Sequence, residues 1–332
     1  MDCRFCKQPL RLIKEASWYV VRHCAVCDIY QTEPKGFAGL SYNERAYDEA
    51  WHTMARLSER RVLRSRTRLL KGLPVEKLQG KRLLEIGPGA GELLRAAAAL
   101  GCEVLGVEMN RANAEYIRKR WGLPVLQGKF EETKFEQFFD IVVMLDVIEH
   151  IEDPRPVLAS IKSILMPGGL LLLTTPNPAN LFSVTSGYLV ASSFGPDHVT
   201  LFTPQSLQAM LDTSGFTVVR ITTYMGSIYL ASALVGAIVK IFKEAAGKAF
   251  QTGILLGPRM DRPALEEASS SGMLEGGWRR GTVPTYWLKL GVWLLRVALG
   301  YILAPIWFCP ERFLGPRLHL GQILAVAQPR KQ

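Results

Sequence analysis

Apolar residues fall in short blocks through the middle of the chain and in longer blocks towards its end. "RLLEI" (82–86) is an apolar run of strand length, and "ELLRAAAAL" (92–100) behind it is made of strong helix formers. The pair reads as strand, turn, helix. "EVLGVE" (103–108) and "FTVVRITTY" (216–224) are further strands. Upstream, "LRLIKEASWYVVRH" (10–23) has the apolar and aromatic content of a strand hairpin, and "YNERAYDEAWHTMARLSERRVLRSRTRLLKGL" (42–73) reads as a helix dense in arginine. Downstream the pattern changes. "IYLASALVGAIVKIFKEAAGKAF" (228–250) is helical, apolar first and amphipathic later. Residues 251–282, rich in Gly, Ser, Pro and mixed charge, form a linker. "YWLKLGVWLLRVALGYILAPIWF" (286–308) then makes a long apolar helix, bounded by Pro284 and Pro305 and carrying Lys289 and Arg296.

The chain has 332 residues, enough for one large domain or two modest ones with a sizeable core and no need of disulfides. Hydrophobic residues make up 48% and charged residues 21%, so a folded protein is the default expectation. The net charge of +10 favours anionic partners but does not choose between phosphates, nucleic acid and an acidic membrane. The start, "MDCRFCKQPL", has no apolar run or cleavage site of a signal peptide, so a cytoplasmic protein is expected. Cys3, Cys6, Cys24 and Cys27 form two CxxC pairs, whose spacing suits metal thiolates better than secretory disulfides. Four such sulfurs complete a tetrahedral Zn(II) shell with no open position, so the expected metal is structural. His23 beside Cys24 is a replacement ligand or a bystander. Cys102 and Cys309 stand alone as ordinary thiols. The arginine helix is a solvated face or a phosphate-binding one, and Tyr42 and Tyr47 either close over a ligand or pack.

Gly87, Gly89 and Gly91 occupy the turn between the first central strand and its helix. Glycine there permits positive φ and close approach of a ligand to the backbone, and the helix start offers free N–H groups. A dinucleotide fingerprint needs Gly or Ala at the sixth position, where this chain has Glu92. The spacing is instead ExGxGxG from Glu85 to Gly91, followed by Glu108 at the end of the next strand. An acidic residue there can accept both ribose hydroxyls. A nucleoside with a carboxylate and no phosphates fits this pair better than a dinucleotide.

"LLEIGPGAGELL", "GVEMN", "FDIVVMLDVIEHIEDPRPVLASIKSILMPGGLLLLTTPN" and "DHVTLFTPQSLQAMLDTSGF" together resemble a class I S-adenosylmethionine-dependent methyltransferase of the small-molecule branch. The resemblance covers about residues 81–222, with a last strand at "HLGQILAVAQ". It implies an α/β fold: a Rossmann-like seven-stranded sheet, preceded here by a zinc ribbon and interrupted by a helical insertion between the last two strands. The domains are then residues 1–40 (ribbon), 41–80 (linker helix), 81–225 with 317–332 (methyltransferase domain) and 226–316 (insertion). The cofactor implied is S-adenosyl-L-methionine. Gly87, Gly89 and Gly91 would hold its methionine part, and Glu85 would brace the turn or meet its amine. Glu108 would bind the ribose, Met109 would lie along the adenine, and Asp146 would end the fourth strand beside the methionine. Where the family often has Asp in a "GD" pair, this chain reads "GKFEE", with Lys129, Phe130 to cover the adenine and Glu131 to accept from its amine.

Methyl transfer from an activated sulfonium needs alignment and exclusion of water, and a general base only when the nucleophile starts protonated. His150 in "DVIEHIEDP" and His198 in "GPDHVTLF" are the candidates for that base, with Asp197 beside His198 to orient it. His150 is equally readable as a structural cap of its turn. "PGG" (167–169) reads as a turn before the fifth strand and "TPN" (175–177) as its end, with Asn177 a remote candidate for substrate contact.

The insertion decides what acceptor to expect. A connection of that length inside a strand hairpin is expected to be functional. Lys289 and Arg296 share one helical face, and spanning would bury Arg296 in mid-membrane at about 2.5–3.5 kcal/mol. Burial against the enzyme or a second subunit, as in a homodimer, is a second reading. A helix lying in the interface, tryptophans down and basic groups raised to lipid phosphates, is the third and the leading one. The expected function is therefore methyl transfer to a small or lipid-linked acceptor (a sugar, polyketide or quinone-like ring) at the cytoplasmic membrane face, through peripheral contact by 284–308. Two other classes compete. An RNA base methyltransferase would grip phosphates with the ribbon and lose affinity steeply with salt, but leaves the apolar insertion unexplained, so nucleic acid is not the expected partner. A non-catalytic membrane scaffold would need neither the glycine turn nor Glu108.

Overall fold

The computed structural model describes residues 1–15, 19–35, 49–179, 197–224 and 322–330. Tyr42, Tyr47, Cys309 and all of the insertion (226–316), including 284–308, lie outside them. The described residues belong to one compact unit.

Strands β1 (Arg11–Glu15), β2 (Tyr19–Cys24) and β3 (Ile29–Pro34) form an antiparallel ribbon. Helix α1 (Glu49–Lys71) follows. The central layer is then laid down as β4 (Arg82–Ile86), α2 (Glu92–Ala99), β5 (Glu103–Glu108), α3 (Arg111–Trp121), β6 (Val125–Gln127), β7 (Phe139–Leu145), α4 (Pro154–Ile164) and β8 (Leu165–Pro176). The described chain ends with β9 (Thr200–Phe202), α5 (Pro204–Thr213), β10 (Phe216–Tyr224) and β11 (Gln322–Pro329).

Seven strands form one sheet in the order β10-β11-β8-β7-β4-β5-β6. The five from β8 to β6 are parallel and β11 runs antiparallel to both of its neighbours. β4 and β7 sit in the middle, and Leu83, Leu84, Ile141, Val142, Val143 and Met144 are fully buried there, which is why these runs are continuously apolar rather than alternating. "PGG" is not a free turn. β7 and β8 pair at Phe139↔Leu165 and again at Ile141↔Leu170, so residues 166–169 bulge out within β8. Gly168 takes up the bend at φ 78°.

The expected arginine helix is present as α1. Its inner face carries Leu63 and the fully buried Leu70, and His52 stacks on Tyr116 of α3 with ring centroids 4.3 Å apart. The ribbon is joined to the rest in a way its sequence did not announce. β9, from far along the chain, pairs antiparallel with β3 and extends the ribbon to four strands.

Candidate active site

A cavity of about 660 Å³ opens at the carboxyl ends of β4, β5 and β7. Crevices of open α/β sheets form there because the loops leaving the strands diverge. Its walls bring together Glu85, Gly87, Gly89, Glu108, Met109, Phe130, Asp146 and His150. Gly91 stands just behind them as the residue before α2. His198 is reached through His150, whose ring it meets edge-on at 4.8 Å between centroids.

The glycine turn has the geometry its spacing suggests. Gly87 has φ 68°, and a Cβ built on it would lie 2.7 Å from Val147 Cγ2. Gly91 has φ 82° and a Cβ there would meet Ile117 at 2.9 Å. With no side chain of its own to cap α2, Gly91 leaves that task to the strand before the turn: the N–H of Leu94 donates to Glu85 Oε2 at 3.1 Å. Glu85 thus braces the turn. Complete burial pushes its carboxyl up to about 8, with the positive charge of Arg66 working in the opposite direction. Glu108 is also buried. Its carboxylate accepts from the Asn110 N–H at 2.8 Å and the Gly89 N–H at 3.3 Å, while burial raises its pKa.

Asp146 sits at φ 55°, a left-handed conformation that β7 and β8 hold in place: its N–H donates to the Thr174 carbonyl at 3.0 Å, and Thr174 Oγ1 donates to its Oδ1 at 3.1 Å. Its side chain is open to cavity solvent yet walled by protein elsewhere, and that enclosure raises its carboxyl pKa. Phe130 is buried in the cavity wall, whereas Met109 lines the cavity with 45% of its surface exposed.

At the other end lies a cluster of titratable groups. His150 Nδ1 is 2.9 Å from the Asp197 carbonyl oxygen. A carbonyl only accepts, so Nδ1 carries the proton and the lone pair of the neutral ring is on Nε2. Burial and the neighbouring His198 lower the His150 pKa, against the pull of Asp197. Asp197 Oδ2 stands 3.7 Å from His150 Nδ1 and 4.0 Å from His198 Nε2. Glu149 is fully buried between them and the sheet. Thr175 Oγ1 donates to its Oε2 at 3.1 Å, and its Oε1 has no hydrogen-bond partner among the described residues. Burial, then the charge of Asp146, raises its pKa well above the ordinary value. One donor atom each from Glu149, His150 and His198 lies within 4.8 Å of the others, close enough to share a proton or a cation.

Two residues of this site escaped the sequence reading. Arg66 of α1 lines the cavity, and its charge opposes the pKa rise of Glu85, Glu92 and Asp146. The signal was available: Arg66 falls on the same helical stripe as Leu63 and Leu70, where an arginine is out of place on a helix with a solvated basic face. Glu149 was visible only as part of "DVIEH"; its complete burial comes from the turn Ile148–His150 tucking under β8. Asn177 is buried, and its Oδ1 accepts from the Ala179 N–H at 3.1 Å, which makes it a turn-former.

The four ribbon cysteines form a second cluster, their sulfurs within 4.8 Å of one another and Cys6 and Cys24 3.5 Å apart. The two CxxC turns match. Lys7 and Asp28, each just past its pair, have φ 61° and 54°, and their N–H groups donate back to the carbonyls of Cys3 and Cys24 at 3.0 and 2.8 Å. Gln31 Nε2 donates to the buried Cys3 sulfur at 3.3 Å. Convergent sulfurs on paired knuckles, one with an amide donor, suit a tetrahedral thiolate metal site. His23 turns away to Asp28, with Nε2 2.8 Å from Oδ1.

The cavity also fits a sulfonium nucleoside amino acid. The bare glycine floor admits a backbone-hugging ligand, Glu108 faces the cavity next to Met109 and Phe130, and Arg66 supplies a counter-charge for a carboxylate.

Comparison with known proteins bears on this geometry. A family described as a methyltransferase domain matches residues 51–221. A ubiquinone biosynthesis O-methyltransferase of Actinobacillus pleuropneumoniae is 32% identical over 111 residues, covering 30% of this chain and 47% of the relative. The mitochondrial ubiquinone biosynthesis O-methyltransferase of Schizosaccharomyces pombe is 36% identical over 104 residues, covering 29% of this chain and 38% of the relative. The chain thus spans about half the length, or less, of these curated relatives. A SAM-dependent methyltransferase structure from Archaeoglobus fulgidus superposes with a TM-score of 0.47 at 15% identity, covering 84% of this chain and 99% of the other.

Proposed function

The chain belongs to the methyltransferase-domain family, and from that premise we propose that it transfers the methyl group of S-adenosyl-L-methionine to a hydroxyl of a small amphiphilic or lipid-linked acceptor. The observation that carries this reading is one cavity with a cofactor cradle at one end and a histidine whose lone pair sits on Nε2 at the other. When bound, the cofactor supplies an activated methyl on a positively charged sulfur.

This chain's residues do the rest. The backbone from Gly87 to Gly91 and the guanidinium of Arg66 bind the amino-acid end. Glu108 accepts from the ribose hydroxyls, and Met109 and Phe130 lie along the base. Besides Glu85, the cavity is lined by Glu92, Glu108, Glu131, Asp146, Glu152 and Asp197 against Arg66 and Lys129, a balance that favours a cationic ligand over its neutral demethylated product. Leu145, Val147 and Val157 keep water from the reacting centre. The acceptor's hydroxyl proton passes to His150 Nε2, with the Asp197 carbonyl fixing the tautomer and His198 packed against the ring. Acceptors that start protonated need such a base, and the two curated relatives carry O-methyltransferase in their names. Cys3, Cys6, Cys24 and Cys27 would hold one structural Zn(II).

Membrane placement is part of the proposal. Tyr224 pairs with Gln322, and Gln322 with Pro176 at the carboxyl end of β8. Both roots of the insertion therefore leave from the cavity edge of the sheet. The sequence of 284–308 suits an interfacial helix, and its docking on the cytoplasmic leaflet would hold the enzyme on the membrane that carries a lipid-linked acceptor. No helix among the described residues is long and apolar enough to cross a membrane.

The test is incubation with methyl-labelled S-adenosyl-L-methionine and host extract, followed by separation of lipid, nucleic-acid and polar fractions. Base-stable label in the lipid fraction, lost in His150→Gln, supports the proposal. Label confined to RNA overturns it.

A further inference from the structure

The ribbon's contacts concentrate on one short segment. β3 pairs with β9 at Ile29↔Phe202, Tyr30↔Leu201 and Gln31↔Thr200. The Thr32 N–H donates to the Val199 carbonyl at 3.2 Å, and Arg4 Nη1, from between the first two cysteines, donates to the same oxygen at 3.3 Å. Thr203 Oγ1, at the start of α5, donates to Asp28 Oδ2 at 2.6 Å. The residues immediately before this segment are Asp197 and His198, which meet His150. Among the described residues β9 has no other strand partner, and three residues are too few to hold a strand without one.

From this we propose that the cysteine ribbon is the positioning device of the acceptor end of the cleft, with Asp28 as its positioning residue. The second knuckle holds Asp28 in a left-handed turn through the Asp28 N–H to Cys24 carbonyl bond. Asp28 then grips Thr203 on one oxygen and His23 on the other, and β3 zips the intervening strand. His198 and Asp197 keep their places beside His150 because the chain that follows them is tied to the knuckle. The ribbon needs no contact with substrate to control turnover. The four thiolates of Cys3, Cys6, Cys24 and Cys27 would hold one zinc ion, which would stiffen the knuckle that carries Asp28. The proposal rests on the reading of His150 and His198 as the acceptor end.

The test uses the full chain and two variants at one position. Asp28→Gly tolerates the left-handed backbone but loses the carboxylate, whereas Asp28→Asn tolerates it and keeps an oxygen for Thr203. Four quantities are read: zinc per chain by elemental analysis, affinity for S-adenosyl-L-methionine, amide exchange at residues 199–202, and the rate of label transfer to extract. For Asp28→Gly we expect wild-type zinc content and cofactor affinity. Exchange at 199–202 quickens by about tenfold or more, as local opening becomes easier. The transfer rate falls by a similar factor, and Asp28→Asn restores both. Unchanged exchange at 199–202 in Asp28→Gly overturns the proposal, as does equal damage in the Asn variant. Loss of zinc together with unchanged exchange overturns it too. His198→Ala separates this from the functional reading. If that variant transfers label at the wild-type rate, the role of His198 falls while the exchange data still decide whether the ribbon holds β9.

Discussion

Glu85→Gln offers the sharpest check on how the cofactor end is built. The wild-type carboxyl is completely buried under α2 and its pKa is displaced from 4.5 to about 8. Between those values the native state keeps a proton that the unfolded chain releases. Stability from this group is therefore full below pH 4.5, falls as pH rises, and is gone above about pH 8. At about 1.4 kcal/mol per pH unit the displacement sets an upper bound of a few kcal/mol, and relaxation of the site is expected to leave about 2 kcal/mol. Glutamine keeps a carbonyl oxygen for the Leu94 N–H but cannot ionise. Its buried amide hydrogens add a cost of about 1–3 kcal/mol that does not vary with pH. The observable is thus the slope. Urea unfolding of both proteins without cofactor, at half-unit steps from pH 5 to 9, should show the wild type losing stability relative to Glu85→Gln as pH rises. A difference that stays constant to within about 0.5 kcal/mol across that range would refute the reasoning. It would mean that Glu85 ionises freely and that Arg66 or water compensates it. A large loss of cofactor affinity in the variant would point instead to the other role considered for Glu85, contact with the cofactor amine.

Other expectations follow from the same geometry. Burial raises the carboxyls of Glu85, Glu92, Glu108 and Asp146, and a cationic ligand among them lowers those values again. Binding of S-adenosyl-L-methionine should therefore release protons and tighten as pH rises from 6 to about 8, read by calorimetry in buffers of different ionisation enthalpy. Gly87→Ala should cost about 1–2 kcal/mol for its positive φ plus the clash with Val147, and weaken cofactor binding by about tenfold or more, measured by equilibrium titration. His150→Gln should slow transfer to a hydroxyl acceptor by about 10²–10⁴-fold. Because burial and His198 lower the His150 pKa, the base form persists below the ordinary histidine value, and the acid limb of the wild-type rate profile should lie below pH 6.5. Arg66→Ala should raise the cofactor Kd with little change in melting temperature, since the residue faces a cavity rather than a packed core.

Much of this protein was legible in its sequence because local rules governed it. The turn from Glu85 to Gly91 needs residues that accept positive φ and tolerate no Cβ, and such a demand leaves glycine at fixed spacing whatever surrounds it. The CxxC pairs were legible for a similar reason, since two thiols must reach one ion from one tight turn. Continuous apolar runs marked the strands buried on both faces. Non-local facts were not legible. Nothing in "VTLF" says that it will pair with "IYQT", because strand pairing depends on which edge the fold leaves bare. Asp28 reads as a solvated acid until Thr203, far along the chain, is brought 2.6 Å away. Arg66 reads as one of many surface arginines until α1 is laid across the glycine turn and its inner stripe is seen to end in the cavity. Glu149 and His150 are neighbours in sequence, yet one is fully buried and the other opens to the cavity, because a single turn under β8 divides them. Residue type and local spacing were enough to set the chemistry on offer. Which of those groups share a low-dielectric pocket, and so which pKa values move and which residue holds which, was decided by tertiary packing, because burial and long-range contact are properties of the folded chain alone.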